Sequence, residues 1–259
     1  MIKLAKSKCQ TDLTNVANWF CFTFFLFNDT FKSERRVIMK KIILIIFLTF
    51  IFTLNVSANT DVRFFKTIKV DNNYFKTIEI NEAEYNYYKD NKIELMSNVH
   101  TTTYKRIEIS SDQTTVSLKV NWLKSPAYKS FDVIALRGEG VEFYDYEIYG
   151  KQSYIQNNEK REIFYSKSSN NTKVFANGVG ISMNLVDGAS DFELMLEIGF
   201  YKTSNSAIIY GSYQHSQRNV TLSQSQNYVL SPNGLGGVID FSSSVEKYYD
   251  GMGGVSISV

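Results

Sequence analysis

The chain is expected to fold as an all-β domain, an antiparallel β-sandwich or jelly roll with one short helix, after an N-terminal signal peptide. Three observations lead there. Two segments, 116–122 and 192–201, alternate apolar and polar residues with a period of two. Clusters of Asn, Asp, Gly and Ser break the rest into short runs of strand length. Only one segment, after Asn81, carries the marks of a helix start.

The leader sets what belongs to the fold. Lys40 and Lys41 precede a run of 13 residues from Ile42 to Leu54 that carries no charge and is mostly Ile, Leu and Phe. Val56-Ser57-Ala58 follows as a small-residue cleavage site, so cleavage is expected after Ala58. A membrane-spanning helix needs roughly 20 apolar residues, which makes secretion the better reading. Residues 1–38 read as an upstream extension that a signal peptide starting at Met39 does not need. The domain is then 59–259, or 201 residues, enough for one substantial core. Beyond Ala58 the chain carries 20 basic and 23 acidic residues, so no basic excess argues for nucleic acid. Cys9 and Cys21 both precede the cleavage site. The domain therefore has neither disulfides nor thiol chemistry.

The elements follow in order. Phe64 to Val70 is echoed ten residues later by Tyr74 to Ile80, with Asp71-Asn72-Asn73 between, which predicts a hairpin. Asn81 then caps a helix to about Lys89, with Glu82 and Glu84 near its positive end. Val116, Leu118, Val120 and Trp122 share one face of a strand that stops before Pro126. Phe131 to Leu136 is more uniformly apolar and reads as a central strand. Val141 to Tyr149 reads as a Tyr-rich strand, and 166–173 as a polar loop. Phe192, Leu194, Leu196, Ile198 and Phe200 face one way on the clearest amphipathic strand, with Glu193 and Glu197 on the other face. Thr203 to Ser206 is a turn, after which 207–213 is expected to return as the antiparallel partner. Asn219 to Leu222, Tyr228 to Leu230, Val238 to Phe241 and Val255 to Val259 complete the strands.

An Asx-Gly step, one apolar residue and a further Gly recur at Asn177-Gly178, Asn233-Gly234 and Asp250-Gly251. Such steps supply positive φ for tight turns, and the following Gly suggests a bulge or a close backbone approach. No cofactor is expected. Calcium held by Asp240 and Asp250 near the last two copies is the one ion site in view.

Few residues form a pattern that carries chemistry. His100 and His215 stand alone, without an H-E-x-x-H pattern or a nucleophile elbow beside Ser212 or Ser216. Glu193-Leu194-Met195-Leu196-Glu197 resembles the E-x-D-x-E motif of laminarinase-like jelly-roll glycosidases, which implies Glu193 as nucleophile and Glu197 as acid/base. Met195 departs from that pattern at its central acid. Exposed tyrosine and tryptophan make flat platforms for sugars or proteins. Trp122, Tyr144, Tyr146 and Tyr149 are the candidate ligand-binding residues. Asn121 to Pro126 with Ser130 to Ala135 resembles stretches of uncharacterised secreted proteins of low-GC Gram-positive bacteria, a resemblance that brings no activity with it. The leading expectation is a secreted, non-enzymatic protein that binds polysaccharide or protein at the cell surface or outside it. The membrane is met only through the leader before cleavage. A glycan hydrolase using Glu193 and Glu197 is the alternative. A pore-former built on a 192–214 hairpin is the third.

Overall fold

The computed structural model describes residues 59–69, 75–90, 103–126, 128–231 and 237–259. The leader, the upstream extension, His100 and the Asn233-Gly234 step lie outside these residues. The domain is all-β, with every strand pair antiparallel. The strands are β1 (Asn59–Lys69), β2 (Phe75–Ile80), β3 (Thr103–Ser111), β4 (Thr115–Trp122), β5 (Phe131–Glu139), β6 (Val141–Phe143), β7 (Tyr149–Gln156) and β8 (Glu159–Tyr165). They continue with β9 (Thr172–Phe175), β10 (Gly178–Asn184), β11 (Ser190–Lys202), β12 (Ile208–Gln214), β13 (Tyr228–Leu230), β14 (Ile239–Phe241) and β15 (Gly254–Ser258).

An eight-stranded sheet runs β2-β1-β3-β4-β11-β7-β8, with β6 pairing the end of β11, and a five-stranded sheet runs β15-β12-β5-β10-β9. The two inner faces share one hydrophobic cluster. The larger sheet contributes Ile107, Ile109, Leu118, Leu194 and Leu196, and the smaller Ile134, Leu136, Ile181, Ile209 and Val255. Each side obeys the alternation of its sequence. β4 is buried at every second residue, with Val116, Leu118 and Val120 at zero exposure. β5 is the middle strand of its sheet and is buried on both faces, which explains its apolar run at 133–136. Its second face, from Val133 and Ala135, packs under Val220, Tyr228, Val238 and Tyr249 of the segment that carries β13 and β14.

The echoed sequences do pair, Phe64 opposite Ile80 and Lys69 opposite Phe75. The helix α1 (Glu82–Asp90) follows, and Asn81 Oδ1 accepts from the Glu84 backbone N–H at 2.8 Å. Tyr85 of α1 closes over Phe64 and Tyr104 on the outer face of β1 and β3. The β7–β8 hairpin turns on Asn157 and Asn158, both with positive φ (55° and 64°), as a two-residue primed turn requires.

Four expectations are corrected. β12 does not return beside β11. It pairs β5 and β15 in the other sheet, so 203–207 is a crossing between sheets and there is no 192–214 hairpin. The Tyr-rich segment is not one strand. β6 ends at Phe143, and a 3-10 turn, Asp145–Glu147, intervenes before β7. Residues 219–222 are not a strand but lead into a second helix, α2 (Leu222–Ser225), with Thr221 and Gln224 forming a reciprocal capping box. Of the two recurring Asx-Gly steps among the described residues, Asn177-Gly178 and Asp250-Gly251, the second alone has its Gly at positive φ (59°). Gly178 and Gly180 serve close approach instead, since a Cβ on Gly180 would lie 2.1 Å from the Tyr228 hydroxyl.

Candidate functional site

The outer face of the larger sheet carries an aromatic surface. Side chains at odd positions of β11, from Glu193 to Tyr201, point away from the core because their even neighbours fill it. In β7 the backbone of Gly150 faces Ile181 and Met183 of the opposite sheet, which turns Tyr149 outward. Tyr149 stands across from Glu197, and its ring centroid lies 5.9 Å from that of Phe164 on β8. The 3-10 turn docks on β11 through the Tyr144 backbone N–H, which donates to the Gly199 carbonyl at 2.8 Å. Gly199 is where a small residue is required. A Cβ there would meet the Glu147 carboxylate at 1.9 Å and the Tyr144 ring at 2.8 Å. With Gly199 in place, Tyr144 lies 5.6 Å from Tyr146 and 5.5 Å from Tyr201, ring centroid to centroid.

Tyr146 is 71% exposed and Phe164 57% exposed, so these rings add no core packing. Acidic groups border them. The Tyr201 hydroxyl donates to Glu142, which holds its proton above the ordinary tyrosine range. Asp145 is paired with Lys167 at 2.6 Å. Glu147 lies over Gly199, and Glu197 stands beside Tyr149. Three of the four expected ligand residues, Tyr144, Tyr146 and Tyr149, therefore share this surface. The fourth, Trp122, does not. It is 5% exposed and packs inside the sandwich, with Nε1 donating to the Tyr213 hydroxyl at 3.1 Å. Phe164 and Tyr201 join the surface without having been singled out from the sequence.

Glu193 and Glu197 lie on the same open face. Glu193 accepts from the Asn121 amide at 2.9 Å, and Glu197 is opposite Ser117 and Tyr149. Asp240 and Asp250 do not meet as an ion site. Asp240 accepts from the Ser231 hydroxyl at 3.3 Å near the surface, while Asp250 turns inward to Lys105. Among the described residues no three His, Cys, Asp or Glu side chains gather as metal ligands. A cleft of about 250 Å³ opens between Gln214, Asp240, Phe241, Glu246 and Tyr249. It is smaller than the ~300 Å³ at which ordinary ligand pockets begin.

A second constellation, buried, was not anticipated as a unit. It closes one end of the inter-sheet core. Lys105 on β3 and Trp122 on β4 sit opposite each other in register. Asp132 on β5 and Tyr213 on β12 face them from the other sheet, with His215 just beyond β12. Asp132 has no exposure and collects donors from the Tyr213 hydroxyl, His215 Nδ1 at 2.9 Å, and the Ser216 backbone N–H at 2.9 Å and hydroxyl at 3.3 Å. Burial together with the Asp132 carboxylate pushes the Tyr213 hydroxyl well above its usual range, so it remains a donor. The His215 ring lies 4.7 Å from Trp122.

No family model matches the chain, and no curated protein sequence matches it. Two constellations stand out in the fold. The outer one is accessible and aromatic. The inner one is closed to solvent, and its hydrogen bonds tie the two sheets together.

Proposed function

We propose that the protein is an exported, non-enzymatic binding module whose aromatic outer face takes a polysaccharide chain of the cell surface. The observation that carries the reading is the gathering of Tyr144, Tyr146, Tyr149, Phe164 and Tyr201 on one face, exposed or half-exposed and uninvolved in the core. A pyranose presents C–H groups on its flat faces and hydroxyls at its edge. Aromatic rings pack against the first, and carboxylates such as Glu147 and Glu197 accept hydrogen bonds from the second. The expected leader at 39–58 supports action outside the cell. A retaining hydrolase would hold its two carboxyls about 5–5.5 Å apart around a bound sugar. Glu193 and Glu197 keep the spacing of the glycosidase motif, but Met195 stands where its central acid would be and Glu193 is committed to Asn121.

The test is co-sedimentation of the protein with isolated bacterial cell walls, with and without calcium. Saturable pelleting that Tyr146→Ala with Phe164→Ala weakens, and that calcium does not alter, is expected. Wild-type pelleting that the double variant retains in full would remove this face as the binding surface. A partner captured only as protein, with no pelleting on walls, would turn the same surface to a protein ligand.

A further inference from the structure

We infer that Lys105 and Asp250 condense into an amide, giving the protein an internal cross-link between its two sheets. The two side chains are in contact and neither has any solvent exposure. Lys105 Nζ lies over the rings of Trp122 and Tyr213, 4.9 Å and 5.8 Å from their centroids. It occupies a core-facing position of β3, in phase with Ile107 and Ile109. Asp250 lies 145 residues further along, in the segment that leads into β15. Its Oδ1 accepts the His215 backbone N–H at 3.1 Å, which leaves Oδ2 toward Lys105.

This arrangement is costly as an ion pair and well disposed as a reaction site. Two charges taken out of water seldom recover their desolvation cost from mutual attraction. Condensation replaces both charges with one neutral amide. The buried contact holds amine and carboxyl as an intramolecular pair at high effective concentration. A hydrogen bond from a fixed backbone N–H polarises the carboxyl through Oδ1, where negative charge develops during attack. The step balances within the pair. One ammonium proton passes to Oδ2, and the neutral amine attacks Cγ. A second nitrogen proton passes to the Oδ2 hydroxyl, which leaves as water as the Nζ–Cγ bond is completed. No oxidant or cofactor takes part. In a domain without cysteine after Ala58, the cross-link supplies what a disulfide otherwise would.

The test is the intact mass of the denatured full chain, its N-terminus read first, followed by fragmentation of a proteolytic digest. The expected result is a mass short by one water and a branched peptide that joins the Lys105 and Asp250 segments. Lys105→Met and Asp250→Ala should each restore the full mass. A wild-type chain of full mass would overturn the inference. So would a one-water deficit that persists in Lys105→Met, since Asp250-Gly251 could also lose water as a succinimide, without Lys105.

Discussion

Truncating Tyr146 tests the aromatic face with the least disturbance to the fold. A tyrosine side chain presents about 200 Å², and Tyr146 is 71% exposed. If a sugar ring covers one of its two faces, roughly 70 Å² of mostly apolar area leaves water on binding. At about 25 cal/mol per Å² this contributes about 1.8 kcal/mol, or roughly a 20-fold change in Kd. The fold should not register the change, because exposed positions without core contacts usually shift stability by no more than about 0.5 kcal/mol. The assay is a binding isotherm on insoluble cell-wall glycan for wild type and Tyr146→Ala, with thermal unfolding as the control. A Kd within twofold of wild type, at unchanged Tm, would refute the stacking argument. Phe164→Ala should cost a similar amount independently, since Phe164 contacts Tyr149 and belongs to the other half of the surface. If only one of the two single variants weakens binding, the ligand spans only half of the face.

Three further outcomes are expected. Glu193→Gln should leave wall binding and stability within about 0.5 kcal/mol, and the wild type should release no sugar from the polymer. Sugar release that Glu193→Gln abolishes would restore the hydrolase reading. Gly180→Ala should lower stability by about 1–3 kcal/mol in urea titration, because its Cβ has to displace the buried ring of Tyr228; an unchanged midpoint would show that the ring moves freely. At alkaline pH the protein should lose stability from its tyrosines. Burial pushes Tyr165 up to about 12, Tyr228 and Tyr249 higher still, and Tyr213 well above its ordinary value, against an unfolded value near 10. The folded state then keeps these protons while the unfolded state releases them, so stability is full below pH 10 and falls above it. Each such group contributes up to about 1.4 kcal/mol per pH unit once the unfolded tyrosines are ionised. Cooperative unfolding should accompany the rise of tyrosinate absorbance, and smooth titration without unfolding would contradict the burial of these rings.

The alternation in 116–122 and 192–200 assigned faces correctly, because period two is a local property of an extended chain. It did not assign neighbours. β12 follows β11 after a short turn, yet it joins the other sheet, since pairing is decided by which edges are free once the sandwich closes. The same alternation bears on the binding residues. Trp122 is in phase with Val116, Leu118 and Val120, and this phase had already placed it indoors. Tyr144 and Tyr146 were legible only as tyrosines. Their exposure depends on a 3-10 turn held over Gly199, a contact between segments more than 50 residues apart.

The buried cluster was legible in part, and through the same rule. Lys105 shares its phase with Ile107 and Ile109, and Asp132 shares its phase with Ile134 and Leu136. His215 continues the phase of Tyr213. A charged residue in the inward phase of a strand has to meet a partner there or unfold the strand. Two such residues on two strands, with His215 in phase just beyond a third, therefore predict one shared polar site, even before their partners are known. Asp250 escapes this logic because it lies in a connection, where no phase exists. Its place beside Lys105 comes from the bridge between Tyr249 and Ser216 and from the Asp250 backbone N–H, which donates to the His215 carbonyl at 3.1 Å. The Asp-Gly step thus has a use that the turn reading missed: Gly251 takes the positive φ that turns the chain toward β15, while Asp250 remains pinned against the core. Replacing Gly251 with Val should strain that turn and loosen Asp250 from Lys105. It would then lower the fraction of cross-linked chain, a readout that a merely structural turn would leave unmoved.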